Sequence, residues 1–352
     1  MVSRILYTLH HWLRPSLVAL FKPTIAWDLR WRLLLLQPLS LITYAVSSVP
    51  YLFSRPFTVE WLPFAPGKTA RVLVYKHTGS TGSTGSTAIG TSRQLRPIHV
   101  DIHGGAFIGG QSESTAPIDE RVARETGAVV LGLTYPFAPE NVFPAAIDEV
   151  DAVIQYITEH AEERWGANPE LLTVGGFSAG GNMALASTQQ PARHGSSRTA
   201  FKGCVLFCGV LELRLSPWQK PRPEGMPDKD PVAVLMPLFD AYPEQARKKH
   251  FDDPRLSPML AARETLPPRI LLCVPGVDIL LEEQMTFAER INEEDRNAGE
   301  PGRVEVFLED QNHAYLELPD MIVKPEIKER AWNRAVAFLR DTYALHGWTW
   351  TA

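Results

Sequence analysis

Gly176-Phe177-Ser178-Ala179-Gly180 stands where a short apolar run, Leu171 to Gly175, gives way to a helical pattern from Gly181 to Ser187. A serine on a sharp strand-to-helix turn exposes its hydroxyl at the helix start, and the flanking glycines let strand and helix approach. A hydroxyl is a weak nucleophile unless a base takes its proton and an acid fixes the base's tautomer. Ten histidines are available, so position decides. His313, in Gln311-Asn312-His313-Ala314-Tyr315, directly follows the last apolar run. Asp278, in Pro275-Gly276-Val277-Asp278-Ile279-Leu280, directly follows the run before it. The chain order is therefore Ser, Asp, His. Upstream, His103-Gly104-Gly105-Ala106-Phe107 follows the run Ile98 to Ile102. Small residues there turn backbone N–H groups toward an oxygen on which negative charge develops. Together these residues could carry acyl transfer through a covalent serine intermediate. Rival assignments are weaker: a capping serine at a glycine-rich helix start, Asp310 as a solvated charge in the loop of His313, His99 inside a buried strand, and His346 in the tail.

These groups need a rigid frame, and the chain has the length for one. It has 352 residues, 45% hydrophobic and 21% charged, which excludes wholesale disorder. The net charge of -5 makes nucleic acid an unlikely partner. Cys204, Cys208 and Cys273 form neither a disulfide framework nor a zinc cluster, which suits a reducing, intracellular and cytoplasmic setting. Phe57 to Phe64 and Arg71 to His77 alternate with period two and predict two antiparallel strands. The tract from Thr78 to Ser92, with three T-G-S triplets, predicts a mobile surface loop. Apolar runs at 98–102, 128–133, 171–175, 204–206, 270–274 and 304–308 predict buried parallel strands. Helical patterns at 145–160, 181–187, 282–298 and 328–345 lie between and after them. Strand and helix in alternation make an α/β fold with a mostly parallel, helix-covered sheet. The stretch 211–260 breaks this rhythm and predicts an insertion packed over the site.

The N-terminus, residues 1–56, is read as a separate helical segment. From Leu33 to Ser54 no residue is charged, while Arg30, Arg32 and Arg55 flank the run. Its length would span a bilayer, but Pro38, Pro50 and several polar residues interrupt it. A cap packed over the main domain, an interfacial anchor and a true span all fit the composition; the cap is the expectation. Residues 57–352 then form the catalytic domain. Membrane contact of the segment is left open, and so is a homodimer paired along the last strand if that strand lies at an edge.

These motifs resemble the hormone-sensitive-lipase-like esterases of the α/β-hydrolases, marked by an H-G-G-G-type motif. Tyr135-Pro136-Phe137-Ala138-Pro139-Glu140, Phe143-Pro144-Ala145-Ala146, Leu256-Ser257-Pro258-Met259-Leu260 and Leu266-Pro267-Pro268 extend the likeness, as does Asp278-Ile279-Leu280-Leu281-Glu282-Glu283. The resemblance implies an α/β-hydrolase fold with a mostly parallel eight-stranded sheet and a helical cap. It implies Ser178 as nucleophile, His313 as base and Asp278 as its orienting acid. The oxyanion hole would be the N–H groups of Gly105, Ala106 and Ala179, with Gly104 supporting the turn. Tyr135 and Glu140 would be buried, hydrogen-bonded structural residues. The activity implied is hydrolysis of a hydrophobic carboxylic ester, a secondary metabolite or a lipid, by a carboxylesterase or lipase-like enzyme without metal or organic cofactor. An acyltransferase or lactone hydrolase would use the same three residues. Ala106 in place of a third glycine would be strained if its backbone were left-handed, and Phe177 stands where many relatives have Asp.

Overall fold

The computed structural model describes residues 2–77, 80–81, 94–190, 200–227 and 233–351. Most of the tract 78–92 lies outside them. Its described piece, β3 (Ser80–Thr81), pairs with β10 (Trp350–Thr351).

Eight strands form the main sheet: β1 (Phe57–Ala65), β2 (Lys68–Tyr75), β4 (Arg96–Ile102), β5 (Val129–Leu133), β6 (Ala167–Phe177), β7 (Gly203–Phe207), β8 (Ile270–Val277) and β9 (Val304–Asn312). Their order is β1-β2-β5-β4-β6-β7-β8-β9. β1 and β2 are antiparallel to their neighbours, and the remaining pairs are parallel. β5 and β7 are buried along their whole length, as continuous apolar runs in a two-sided sheet require. β9 occupies one edge.

Each face of the sheet has its own apolar core. Val150, Ile154 and Ile157 of α4 (Ala145–Trp165), Met183 of α5 (Ala179–Ser187) and Phe287 and Ile291 of α7 (Leu281–Asn297) fill one. Ile118 and Val122 of α3 (Ala116–Thr126) and Phe338 and Leu339 of α8 (Pro325–Ala344) fill the other. The helical patterns named above do not include α3. It starts with Pro117 in its first turn and ends on Gly127 at φ 72°, both ordinary helix-boundary signals. The three cysteines are free and buried, and burial pushes their thiols up.

Two N-terminal helices, α1 (Val2–Phe21) and α2 (Trp27–Ser48), pack on each other and on the first core through Val18, Ala19, Ile25 and Leu33. Helix α2 runs through the exposed Pro38 and gives way to a 3-10 turn around Pro50. In the stretch 211–260, the short α6 (Met236–Phe239) meets α2, and Arg32 donates to the Val234 carbonyl at 2.7 Å.

Beneath the His103 loop, Asp101 on β4 and Asp119 on α3 are both buried carboxyls. Asp119 accepts from the Thr115 hydroxyl at 3.0 Å, whereas Asp101 Oδ2 has no hydrogen-bond partner among the described residues. Burial raises both, Asp119 further through Asp101's charge. A carboxyl whose pKa is raised in the folded state contributes most below its unfolded pKa, and the contribution is lost as pH rises through the folded value, here about 7 for Asp101. Asp101→Asn removes that pH dependence. Its melting temperature should exceed the wild type's by a few degrees at pH 8 and by nothing near pH 4; calorimetry across that range checks it.

Candidate active site

β6 ends at Phe177 and α5 begins at Ala179, so Ser178 must turn the chain between them. It does so at φ 51°, ψ -113°, a backbone state rare for a residue with a side chain. Three hydrogen bonds fix it there. The Ser178 N–H donates to the Phe207 carbonyl at 2.8 Å, and its own carbonyl accepts from the N–H groups of Asn182 and Val210 at 3.1 and 3.2 Å. The turn is also sterically obligatory: a Cβ on Gly180 would lie 1.9 Å from the Ile102 carbonyl oxygen.

The strands bring the other two residues to the same end of the sheet. Asp278 follows β8, and its Oδ1 accepts the Leu280 N–H at 3.1 Å at the start of α7. His313 follows β9. Asp278 Oδ2 lies 2.6 Å from His313 Nδ1, and His313 Nε2 lies 3.0 Å from Ser178 Oγ. A carboxylate only accepts, so Nδ1 carries the proton and Nε2 is free to accept one from the hydroxyl. Asp278 and Ser178 are buried, and the imidazole is partly open to solvent. Burial lowers the His313 pKa, but the charge and hydrogen bond of Asp278 outweigh it, and the net shift is upward.

The His103 loop packs against the serine's turn, where a Cβ on Gly180 would lie 2.5 Å from the His103 carbonyl oxygen. Gly105 sits at φ 122°, and a Cβ there would meet the Gly109 carbonyl oxygen at 2.2 Å. Ala106 is left-handed at φ 52° and Phe107 follows at φ 62°, so the alanine carries the strain its position implies. No described hydrogen bond uses the Gly105 or Ala106 N–H within the protein. The Ala179 N–H, in the first turn of α5, has no intrahelical acceptor. His103 itself is buried; burial lowers it to about 4, so the ring is neutral, with Nδ1 2.6 Å from the Gly104 carbonyl.

The loop is held from outside by groups that motif spacing does not reveal. His11 Nε2 lies 2.9 Å from the Gly110 carbonyl. The buried Arg14 donates to the carbonyls of Ile108 at 3.2 Å and Phe137 at 2.6 Å. Gln111 donates to the Tyr44 carbonyl and to Ser48 Oγ at 3.1 and 2.8 Å. From the 211–260 stretch, Tyr242 stacks on Phe107 with centroids 4.3 Å apart. The hydrogen-bonding partners lie 63 to 99 residues from the loop they hold, so only the fold could reveal them.

Tyr135 is buried and donates to the His103 carbonyl at 3.3 Å, as expected. Glu140 is a correction: it lies at the surface, not in the interior, in ion pairs with Lys22 at 2.5 Å and Arg14 at 3.9 Å. Arg14 of α1 and Lys22 just after it pair with its carboxylate there, so it needs no internal donors. Asp310 is exposed on β9 itself, not in the loop after it, and His99 packs inside the sheet 2.9 Å from Thr173 Oγ1. Glu317, passed over in the sequence, faces His313, and burial raises its carboxyl.

Glu283 on α7 ties the acid loop to the insertion. It accepts the N–H groups of Leu211 and Glu212 at 2.7 and 3.2 Å and binds Lys220 Nζ at 2.6 Å, all buried. Lys220→Ala would leave a buried carboxylate without its counter-charge. It should cost about 3–5 kcal/mol of unfolding free energy, read as a lower denaturant midpoint.

A family described as alpha/beta hydrolase fold matches residues 99–317 of the chain. Among curated proteins, the carboxylic ester hydrolase LipN of Mycobacterium tuberculosis is 28% identical over 55% of this chain and 52% of its own length. An esterase of Acinetobacter venetianus is 30% identical over 55% of this chain and 61% of its own length. The match thus spans a little over half the length of these relatives. Among solved structures, EstE1, a thermostable carboxylesterase cloned from a metagenomic library, superposes with a TM-score of 0.65 at 21% identity, covering 87% of this chain and 97% of that one.

Proposed function

The chain belongs to the alpha/beta hydrolase fold family, and we propose that within it the chain is a serine hydrolase of carboxylic esters. One observation carries this reading: the unbroken hydrogen-bonded line from Asp278 through His313 to Ser178 at the strand-to-helix turn. Ser178 Oγ attacks the ester carbonyl while His313 Nε2 takes its proton. Asp278 stabilises the imidazolium through its bond to Nδ1. The carbonyl oxygen becomes an oxyanion facing the N–H groups of Gly105, Ala106 and Ala179, with Gly104 supporting the turn. His313 returns its proton to the departing alcohol. Water, deprotonated by the same nitrogen, then frees the acid from Ser178.

Residues 1–56 and the insertion at 211–260 act together as the cap over the catalytic domain 57–352. The contacts of α2 with α6 and of Tyr242 with Phe107 support this division. The apolar cap favours hydrophobic esters. The edge position of β9 supports a homodimer paired along that strand.

The test is a chain-length series of p-nitrophenyl esters with product analysis in the presence of a competing alcohol. Free acid should dominate. A product consisting of the transferred ester would replace hydrolysis by acyl transfer, and no turnover of any ester by folded protein would overturn the reading.

A further inference from the structure

Helix α2 buries one side through Leu33, Gln37 and Tyr44 and leaves a second apolar side bare. Gln37 and Tyr44, both polar, are buried. Gln37 accepts from Ser16 and donates to the Trp12 carbonyl at 2.9 Å, and the Tyr44 hydroxyl accepts the Gly110 N–H at 3.3 Å. The opposite side carries Leu35, Leu39, Ile42, Val46 and Val49, all exposed, with successive spacings of four, three, four and three residues. That spacing makes one continuous stripe along a helix. Helix α1 repeats the feature with exposed Leu6, Leu9, Leu13 and Leu20. Bulky apolar residues at the ends stand furthest out: Phe21 and Trp27 at the turn are 73% and 78% exposed, and Phe53 is 90% exposed. A soluble monomer rarely leaves such a surface bare.

Charge separates the two partners that could cover it. Residues 1–56 contain six Arg or Lys against Asp28 alone, in a chain whose net charge is -5. Arg14 is buried on the inner side and Lys22 pairs with Glu140, which leaves Arg4 in α1 and Arg30, Arg32 and Arg55 beside the apolar stripe. A second copy laid symmetrically on this face would set the same basic segment against itself. An anionic lipid surface would instead meet apolar stripe and flanking cations together. The helix cannot span the bilayer without giving up the bonds of Gln37 and Tyr44 to the protein. We propose that the outer face of the α1–α2 hairpin is a docking surface for an anionic bilayer, on which the protein lies peripherally while the inner face stays bound to the His103 loop.

The experiment is co-sedimentation of the full chain with vesicles of phosphatidylcholine alone or with about 30% phosphatidylserine. The wild type should bind the anionic vesicles several-fold better, and added salt should weaken that binding. Leu39→Glu, Ile42→Glu and Val46→Glu together, all at exposed positions, should reduce binding about tenfold or more. The milder Trp27→Phe should remove a vesicle-induced blue shift from the protein's fluorescence without needing the fold to tolerate charge. Indifference to phosphatidylserine, unchanged binding by the triple variant, or an unaltered blue shift in Trp27→Phe would each overturn the proposal. So would a dimer, seen by light scattering, that the triple variant dissolves. Binding is read without turnover, and Ser178→Ala should sediment like the wild type, so failure of the hydrolase reading leaves this result independent.

Discussion

Replacing Ser178 by alanine should reduce turnover of a p-nitrophenyl ester about a million-fold, equivalent to about 8 kcal/mol of transition-state stabilisation. The size of the loss follows from the geometry. With Oγ gone, the imidazole 3.0 Å away has no hydroxyl to deprotonate, and the covalent path closes. The surrounding N–H groups remain and can still polarise a carbonyl for direct attack by water, so a small residual rate should persist. The fold should survive, because alanine at φ 51° meets the same backbone strain as serine and the three backbone bonds at position 178 do not involve the side chain. A substrate that cannot be turned over should therefore still bind, with kcat falling and affinity nearly unchanged. A variant with wild-type kcat would refute Ser178 as the nucleophile.

Asp278→Asn should cost about ten-thousand-fold in kcat. Its amide can still accept the Leu280 N–H, so the loop should keep its shape while the charge disappears. Two effects combine: the histidine tautomer is no longer enforced, and the imidazolium formed during attack loses its counter-charge. The pH profile separates this from a merely structural defect. His313 must be neutral to act as base, and in the wild type burial lowers its pKa while Asp278 raises it further than burial lowers it. Wild-type kcat/KM should thus fall as pH drops through a value above the ordinary imidazole range. In the variant burial is opposed only by the weaker effect of Glu317, and the acid limb should move to lower pH. An acid limb that stays in place would mean that Asp278 does not set the protonation of His313.

The end of the sheet that gathers Ser178, Asp278 and His313 was legible because each of these residues follows an apolar strand directly. Ser178, Asp278 and His313 lie at the ends of β6, β8 and β9, and strand ends are what local apolar runs locate best. The glycines were legible for a related reason, since a Cβ at Gly180 or Gly105 collides with backbone whatever the rest of the chain does. Helix α3 escaped notice although its boundary signals are ordinary, because its eleven residues carry few large apolar side chains between charged ones. The clamp of His11, Arg14 and Tyr44 on the His103 loop could not be read at all. Side-chain bonds to backbone groups leave no pattern when the partners are 66 to 99 residues apart. Glu140 fails in the same way, because its ion pairs come from Arg14 and Lys22, more than a hundred residues upstream.

The clamp also sets an order of events during synthesis. Helices α1 and α2 are complete by Ser48, but the loop that receives His11, Tyr44 and Ser48 ends at Gln111. At about 5–20 residues per second, the ribosome needs roughly 3 to 13 s to make the intervening chain. Through that interval the hairpin has neither its docking site nor a sheet to cover, and both its faces are open to the first apolar surface available. Until the His103 loop is made, Tyr44 and Ser48 therefore lack the partners that hold them in the folded chain.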